Sequence, residues 1–209
     1  PDCFKAIKKR RPPFCVQCGR QLTNISLPHS KCSDCRKKTP YFDQAFSVFY
    51  YDGVLKELVH SFKYKKINCI SKEFIESAVV FIKELGLDKD IDLVLPIPMH
   101  PAKLLKRETN PSNILAKGIA KKLNVTYSGQ VLRKIKNTVP QSSLNRAERI
   151  TNIKQSFSIK KTCARQKNIL LVDDLFTTGS TVNECAKILK EDGANCVKVI
   201  TLARGDRLS

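Results

Sequence analysis

The chain has 209 residues, enough for one α/β domain with a small additional segment. Its 38 Lys and Arg against 19 Asp and Glu give a net charge of +19, which predicts a polyanionic partner: nucleic acid, an anionic membrane surface or a phosphorylated ligand. A basic surface that only keeps the protein soluble is the alternative. Because we find neither a run of about 18 apolar residues nor an apolar leader, we expect a cytoplasmic protein without a transmembrane segment.

Four of the nine cysteines form two Cys-x-x-Cys pairs near the N-terminus. The pairs are Cys15 with Cys18 and Cys32 with Cys35. Their separation is typical of a tetrahedral Cys₄ zinc site, in which each pair occupies a tight turn and Gly19 permits one of these turns. Four thiolates leave no open position, so the sequence predicts structural Zn²⁺ in a zinc-ribbon segment over residues 1–40. A redox pair, or His29 in place of one thiolate, is the alternative.

The ribbon is followed by an aromatic-rich stretch, 41–52, which predicts strands that link it to the main domain. A helical pattern covers 53–66 and ends in a Lys-Tyr-Lys-Lys run. An aromatic ring among lysines can stack on a base while the ammonium groups contact phosphates, so Lys63 and Lys65 are candidate nucleic-acid residues. A solvated helix end is the alternative.

The middle of the chain alternates helical and strand patterns. Amphipathic helices are predicted over 71–85 and 111–123, a buried strand over 91–95, and a further strand within 125–131. A Pro-Ile-Pro loop follows the 91–95 strand, and the nearest cations in sequence are Lys103, Lys106 and Arg107. Strands that alternate with helices in this way predict a parallel sheet.

Residues 132–160 are the most charged and least periodic part of the chain. A long basic stretch between core elements predicts either a mobile loop over a site or a nucleic-acid surface. Arg133, Arg146 and Arg149 are the candidate nucleic-acid residues in this stretch.

Residues 169–181 carry the strongest functional signal: Ile-Leu-Leu-Val-Asp-Asp-Leu-Phe-Thr-Thr-Gly-Ser-Thr. The first four predict a strand buried on both faces, and Asp173 and Asp174 follow at its carboxyl end, where open α/β sheets place ligands. Small residues then lead into a helical pattern, so backbone N–H groups and hydroxyls are predicted to form a phosphate cradle. Within it, Gly179 has no Cβ, so its backbone can approach the phosphate closely. The small residues are Thr177, Thr178, Gly179, Ser180 and Thr181. The carboxylates suit a ligand that carries hydroxyls or Mg²⁺ beside its phosphate. A buried strand followed by a polar turn is the alternative.

This stretch resembles the phosphoribosyl diphosphate (PRPP) signature of type I phosphoribosyltransferases. The resemblance implies that Asp173 and Asp174 hold the ribose hydroxyls as catalytic residues, and that residues 177–181 hold the 5′-phosphate. In these enzymes the loop after the strand that corresponds to 91–95 contacts pyrophosphate, which implies PRPP-binding roles for Lys103 and Arg107. The resemblance also implies Mg²⁺ bound to PRPP. Phe176 occupies a position that is usually aliphatic.

Nearly the whole chain resembles the ComF-type competence proteins, which join a phosphoribosyltransferase-like domain to an N-terminal Cys₄ ribbon. Besides the cysteines and the PRPP signature, the resemblance rests on Phe-Lys-Tyr at 62–64 and Pro-Ile-Pro at 96–98. It implies an α/β, parallel-sheet type I phosphoribosyltransferase fold over 41–209. It also implies a role in natural transformation, in which single-stranded DNA is handled with an uptake helicase and DNA-processing proteins.

One segment departs from the family pattern. The family usually has Arg-Gly-Phe-Asn-Gln after the Pro-x-Pro loop, whereas this chain has Arg-Glu-Thr-Asn-Pro at 107–111. Arg107 and Asn110 are retained, but the Gly, Phe and Gln are not. The departure weakens any transfer of a pyrophosphate- or base-positioning role to this segment.

Three functions share the predicted pocket. The first is a PRPP-binding DNA-uptake factor that contacts single-stranded DNA, which the charge and the ribbon favour. The second is an active, Mg²⁺-dependent phosphoribosyltransferase that attaches a nucleobase to PRPP. The third is a PRPP-sensing regulator that uses the pocket without turnover. The sequence identifies neither a general base nor the acceptor base.

Overall fold

The computed structural model describes residues 4, 7–22, 30–64, 68–137, 153 and 155–205. Within these ranges the strands are β1 (Gln44–Tyr50), β2 (Leu93–Pro96), β3 (Thr126–Tyr127), β4 (Leu132–Lys134), β5 (Phe157–Ile159), β6 (Asn168–Phe176) and β7 (Cys196–Arg204). The helices are α1 (Ser33–Lys37), α2 (Gly53–Tyr64), α3 (Asn68–Glu84), α4 (Pro101–Arg107), α5 (Pro111–Leu123) and α6 (Ser180–Glu191).

Five strands form one parallel sheet in the order β1-β7-β6-β2-β3. Helices cover both faces, as the alternating pattern predicted. In β6, Ile169 and Leu171 pack into the cluster that contains α6, whereas Leu170 and Val172 pack into the cluster that contains α3 and α5. This alternation follows from the two-residue period of a strand, and it explains why the strand reads as a continuous apolar run.

The predicted helices over 53–66, 71–85 and 111–123 correspond to α2, α3 and α5, with ends that differ by a few residues. Four of the described elements were not predicted. Helices α1 and α4 are only five and seven residues long, and the three-residue strands β4 and β5 pair antiparallel within the charged 132–160 stretch. Such short elements contain too few residues to show a period.

The aromatic-rich stretch forms a single strand, β1, rather than several linking strands. β1 pairs with β7 at one edge of the sheet. Its other edge contacts the N-terminal segment, where Arg10 N–H donates to Val48 O at 2.9 Å and Ala45 N–H donates to Gln17 O at 2.7 Å. The cysteine-containing segment is therefore joined to the sheet by backbone hydrogen bonds.

In the part of the chain that the structure describes, none of the helices combines the length and the apolar character that a bilayer crossing requires.

Candidate ligand site and metal centre

The acidic pair lies near the carboxyl end of β6, and this strand continues to Phe176 rather than ending at Val172. β6 lies between β7 and β2, so its carboxyl end is in the middle of the sheet edge where parallel α/β folds bind ligands. The loop after β2 is held beside it, because Ile97 N–H donates to Val172 O at 2.9 Å. The fold thus brings the Pro-Ile-Pro loop next to the acidic pair.

Asp173 is enclosed by its neighbours. Ser112 Oγ donates to Asp173 Oδ1 at 2.8 Å, and the N–H of Asp174 donates to the same oxygen at 2.9 Å. Burial, together with the adjacent Asp174 carboxylate, raises the pKa of Asp173 to about 8. Asp173 therefore carries a proton near neutral pH when no ligand is bound.

Asp174 forms an ion pair with Lys63 at the end of α2. Lys63 Nζ lies 2.5 Å from Asp174 Oδ2, and the two side chains are only 21% and 15% exposed. Burial opposes the charge of Lys63, but the Asp174 carboxylate more than compensates and raises the pKa of the lysine. The candidate nucleic-acid residue Lys63 thus has its ammonium group in the ligand site.

The predicted phosphate cradle forms a loop that leads directly into α6. Gly179 is the N-cap residue with φ 77°, and no side-chain hydrogen bond caps this helix. Thr178 Oγ1 accepts the N–H of Ser180 at 3.3 Å and lies 2.5 Å from Ser180 Oγ. Thr177 and Thr181 lie on either side of these residues and are half-buried. The first turn of α6 contains no acidic residue, so its N–H groups and positive dipole end suit an anion.

Gly179 also meets a steric requirement. A Cβ at this position would lie 2.6 Å from Cζ of Phe176, and the positive φ disfavours other residues. The motif predicts that this glycine allows close approach by a phosphate, whereas in the structure the nearest obstacle to a Cβ is the ring of Phe176.

Cations on two elements interact electrostatically, and one of them, Lys134, interacts with Asp173. Burial and the neighbouring Arg107 lower the pKa of Lys103 on α4. Burial and Lys103 lower the pKa of Lys134 on β4, whereas Asp173 raises it. The charge of Lys103 thus interacts with those of Arg107 and Lys134, and such a group of cations suits a multiply charged anion.

Ser112 and Lys134 belong to the site but carry no sequence signal for it. Ser112 looks like an ordinary residue in the first turn of a helix, and Lys134 is one cation in a long basic stretch. Neither is near Asp173 in sequence, so no local pattern could have identified them.

The altered segment 107–111 keeps the backbone geometry that a glycine would allow. Glu108 ends α4 in the left-handed region, with φ 60°. Asn110 caps α5 by accepting the N–H of Ser112 at 3.2 Å, and its amide donates to Ile97 O at 3.0 Å. Pro111 takes the first helical position, where a missing N–H costs little. Asn110 thus has a structural role, because it fixes the helix that carries Ser112.

A cleft of about 720 Å³ opens beside this segment. Its apolar lining comes from the loop after β2, from α4 and α5, and from β4. Representative lining residues are Pro98, Met99, Leu104, Ile114 and Leu132, with Arg133 and Lys134 as cations. The cleft and the acidic pair share the loop after β2, so a ligand could extend from one into the other.

The four predicted zinc ligands converge. The sulfur atoms of Cys15, Cys18, Cys32 and Cys35 lie within 4.8 Å of one another and are all buried. Cys18 Sγ and Cys32 Sγ are 3.6 Å apart, close to the roughly 3.8 Å that tetrahedral Zn–S bonds of about 2.3 Å require. The N–H of Cys32 donates to Cys15 Sγ at 3.2 Å, as expected for a thiolate ligand.

The chemistry of this cluster also fits a cation. Burial raises the pKa of Cys35 to about 12, so four thiolates would not form together without a bound metal. Arg20 on the first turn forms an ion pair with Asp34 on the second at 2.6 Å, which joins the two halves. The residues therefore fit a closed, structural Zn²⁺ site.

The nucleic-acid candidates have different positions. Arg133 is exposed on β4 at the rim of the cleft. Lys65, Arg146 and Arg149, as well as His29, lie outside the described residues.

Comparisons with known proteins show which domain and which named proteins the chain is similar to. Residues 111–208 match the model of the phosphoribosyl transferase domain. The chain is 27% identical to Competence protein F of Haemophilus influenzae, over 97% of this chain and 88% of that protein. It is 28% identical to the DNA utilization protein YhgH of Escherichia coli K12, with the same coverage.

Among solved structures, adenine phosphoribosyltransferase from Saccharomyces cerevisiae aligns with a TM-score of 0.46 and 16% identity. The alignment covers 79% of this chain and 80% of that one. By sequence, the chain is a homologue of proteins named for competence and DNA utilization, and its residues 111–208 match the phosphoribosyl transferase domain.

Proposed function

We propose that this protein binds PRPP with Mg²⁺ at the carboxyl end of β6. The observation that supports the proposal is the succession of two carboxylates and a phosphate cradle at the carboxyl end of one strand, with the charge of Lys134 interacting with that of Asp173. Asp173 and Asp174 accept hydrogen bonds from the ribose hydroxyls, and residues 177–181 bind the 5′-phosphate. Lys103, Arg107 and Lys134 face the diphosphate, whose charge Mg²⁺ would partly neutralise.

Binding requires two changes at the carboxylates. Asp173 has to lose its proton, because an ionised carboxylate is the better acceptor for a hydroxyl group. Lys63 has to share or leave Asp174 Oδ2, the atom that it now contacts. A cationic side chain already at the site can then turn to the anionic ligand, so Lys63 belongs to the PRPP site in this proposal.

The biological role that we propose is in DNA uptake during natural transformation. The names of the homologues and the net charge of +19 support this role. Of the two candidate nucleic-acid residues that the structure describes, Lys63 and Arg133, Arg133 is the exposed one, and in this proposal it contacts single-stranded DNA. Lys65, Arg146 and Arg149 remain predictions, as do an uptake helicase and DNA-processing proteins as partners.

A second candidate function is an active phosphoribosyltransferase, and the cleft favours it. The cleft is lined largely by apolar residues and adjoins the loop after β2, so it can accommodate a flat acceptor next to the ribose. Asp173 and Asp174 would then orient the ribose while pyrophosphate leaves. Release of pyrophosphate with a panel of nucleobases would establish this function.

The DNA role is tested by fluorescence anisotropy of labelled single-stranded DNA across a salt series, with and without PRPP and Mg²⁺. We expect binding that weakens steeply with salt and is reduced in Arg133→Glu. Lys89→Glu is the matched control, because Lys89 is an exposed lysine that precedes β2 at the opposite end of the sheet. Binding weaker than about 100 μM at low salt would contradict the DNA role.

A further inference from the structure

Phe176, the aromatic residue at a usually aliphatic position of the PRPP signature, supports the phosphate cradle. Its side chain is buried, and its ring lies where a Cβ on Gly179 would come within 2.6 Å. It also packs edge-on against Phe42, with ring centroids 6.2 Å apart. The Phe176 ring thus packs directly against Gly179, the N-cap residue of α6.

Arg204 connects this ring to the cysteine cluster. Arg204 is paired with Phe176 in the β6–β7 register, so both side chains point to the same face of the sheet. The guanidinium carbon lies 4.4 Å from the centre of the Phe176 ring, a cation–π contact. The same side chain donates from Nη1 to the carbonyl oxygen of Cys18 at 2.5 Å. Both residues are at most 5% exposed.

A second, parallel connection supports the first. Gln17, between the first two cysteines, donates from Nε2 to Phe42 O at 3.5 Å, and Phe42 contacts Phe176. The four cysteines and Phe176 also belong to the same buried cluster. The cysteine cluster is thus connected to the Phe176 ring through Arg204 and Phe42, within one buried cluster.

We propose that the Cys₄ cluster positions the phosphate cradle through Arg204 and Phe176. Metal binding would fix the turn at Cys18, and hence the carbonyl that orients Arg204. Metal and PRPP then stabilise the same arrangement, so each raises the affinity for the other. This inference rests on the proposed binding of PRPP, and Arg204 and Phe176 act as positioning residues because they reach the ligand only through Gly179.

Two variants and a matched control test the coupling in the full-length, zinc-loaded protein. Arg204→Met and Phe176→Leu are expected to weaken PRPP–Mg²⁺ binding about tenfold in isothermal titration calorimetry, while zinc content stays unchanged. Arg10→Met is the control: Arg10 is also buried and donates to the cysteine segment at Gly19 O (2.8 Å), but it stacks on Phe14 and Tyr50. Its PRPP affinity should remain within about twofold of wild type. Wild-type affinity in Arg204→Met would overturn the proposal.

Hydrogen exchange provides a readout that does not require PRPP. After zinc is removed with a chelator, amide exchange of residues 177–182 should accelerate about tenfold, while β2 exchanges as before. Equal exchange in the two states would overturn the coupling, and accelerated exchange in β2 as well would show global loosening and likewise contradict it. If the wild type fails to bind PRPP, the proposed function fails while the exchange result still decides the coupling.

Discussion

The proton on Asp173 makes ligand binding at the β6 site depend on pH. Burial and Asp174 raise its pKa to about 8, so the group is about 90% protonated at pH 7 and about 10% protonated at pH 9. PRPP requires the ionised carboxylate, so the apparent Kd for PRPP–Mg²⁺ should fall about tenfold between these two pH values. At pH 7, binding should release about 0.9 protons from this residue.

Calorimetry in buffers with different ionisation enthalpies measures the released protons directly. Asp173→Asn cannot release this proton, so its proton release measures the contribution of Lys103 and Lys134, whose pKa values are lowered. A Kd that is the same at pH 7 and pH 9, with equal proton release in both proteins, would refute the assignment of the proton to Asp173.

Stability gives a second measure of the same proton. The folded-state pKa lies above the ordinary value of 3.8, so the folded protein holds more protons than the unfolded chain between about pH 4 and pH 8. In this window the wild type should lose about 1.4 kcal/mol of unfolding free energy per pH unit relative to Asp173→Asn. The contribution of Asp173 is thus most favourable below pH 4 and lost above pH 8. Parallel stability curves from urea denaturation would contradict this result.

Three further substitutions test other parts of the site. Gly179→Ala should lower the unfolding free energy by about 1–3 kcal/mol and weaken PRPP binding, because its Cβ would overlap a buried ring; unchanged denaturant midpoints would contradict this. Glu108→Gly should stabilise the protein by about 1 kcal/mol by relieving a left-handed φ, and by more than Asn124→Gly, since asparagine tolerates that region better. Lys63→Met should lower the unfolding free energy by about 2 kcal/mol, because it leaves the largely buried carboxylate of Asp174 unpaired. The exposed ion pair between Lys122 and Glu76 is the control, and Lys122→Met should lower the unfolding free energy by less than about 1 kcal/mol. Equal losses of unfolding free energy in the two variants would refute this argument.

The parts of the site that could be predicted from the sequence are those with local signals. The stretch from Ile169 to Thr181 places strand, carboxylates, loop and helix start in consecutive positions, so pattern and chemistry are read together. The Cys-x-x-Cys spacing predicts a cluster for the same reason, and the sulfur atoms do converge.

The parts that could not be predicted depend on contacts between distant elements. Lys63 and Asp174 are 111 positions apart, and the ion pair exists only because α2 ends beside the carboxyl end of β6. The contact between Ser112 and Asp173 likewise depends on where α5 packs. Phe176 was noted only as a departure from the signature, and the role that we propose for it follows from Arg204, which faces it from the neighbouring strand.

Calorimetric titration of PRPP–Mg²⁺ into the wild type and into Asp174→Asn tests the central claim most directly. We predict binding at one site in the wild type, and a large loss of affinity in the variant, because a ribose-hydroxyl acceptor is weakened. The metal content and thermal stability of both proteins show that the variant is folded. Wild-type binding weaker than about 1 mM, or equal affinity in the two proteins, would contradict PRPP binding at the carboxyl end of β6.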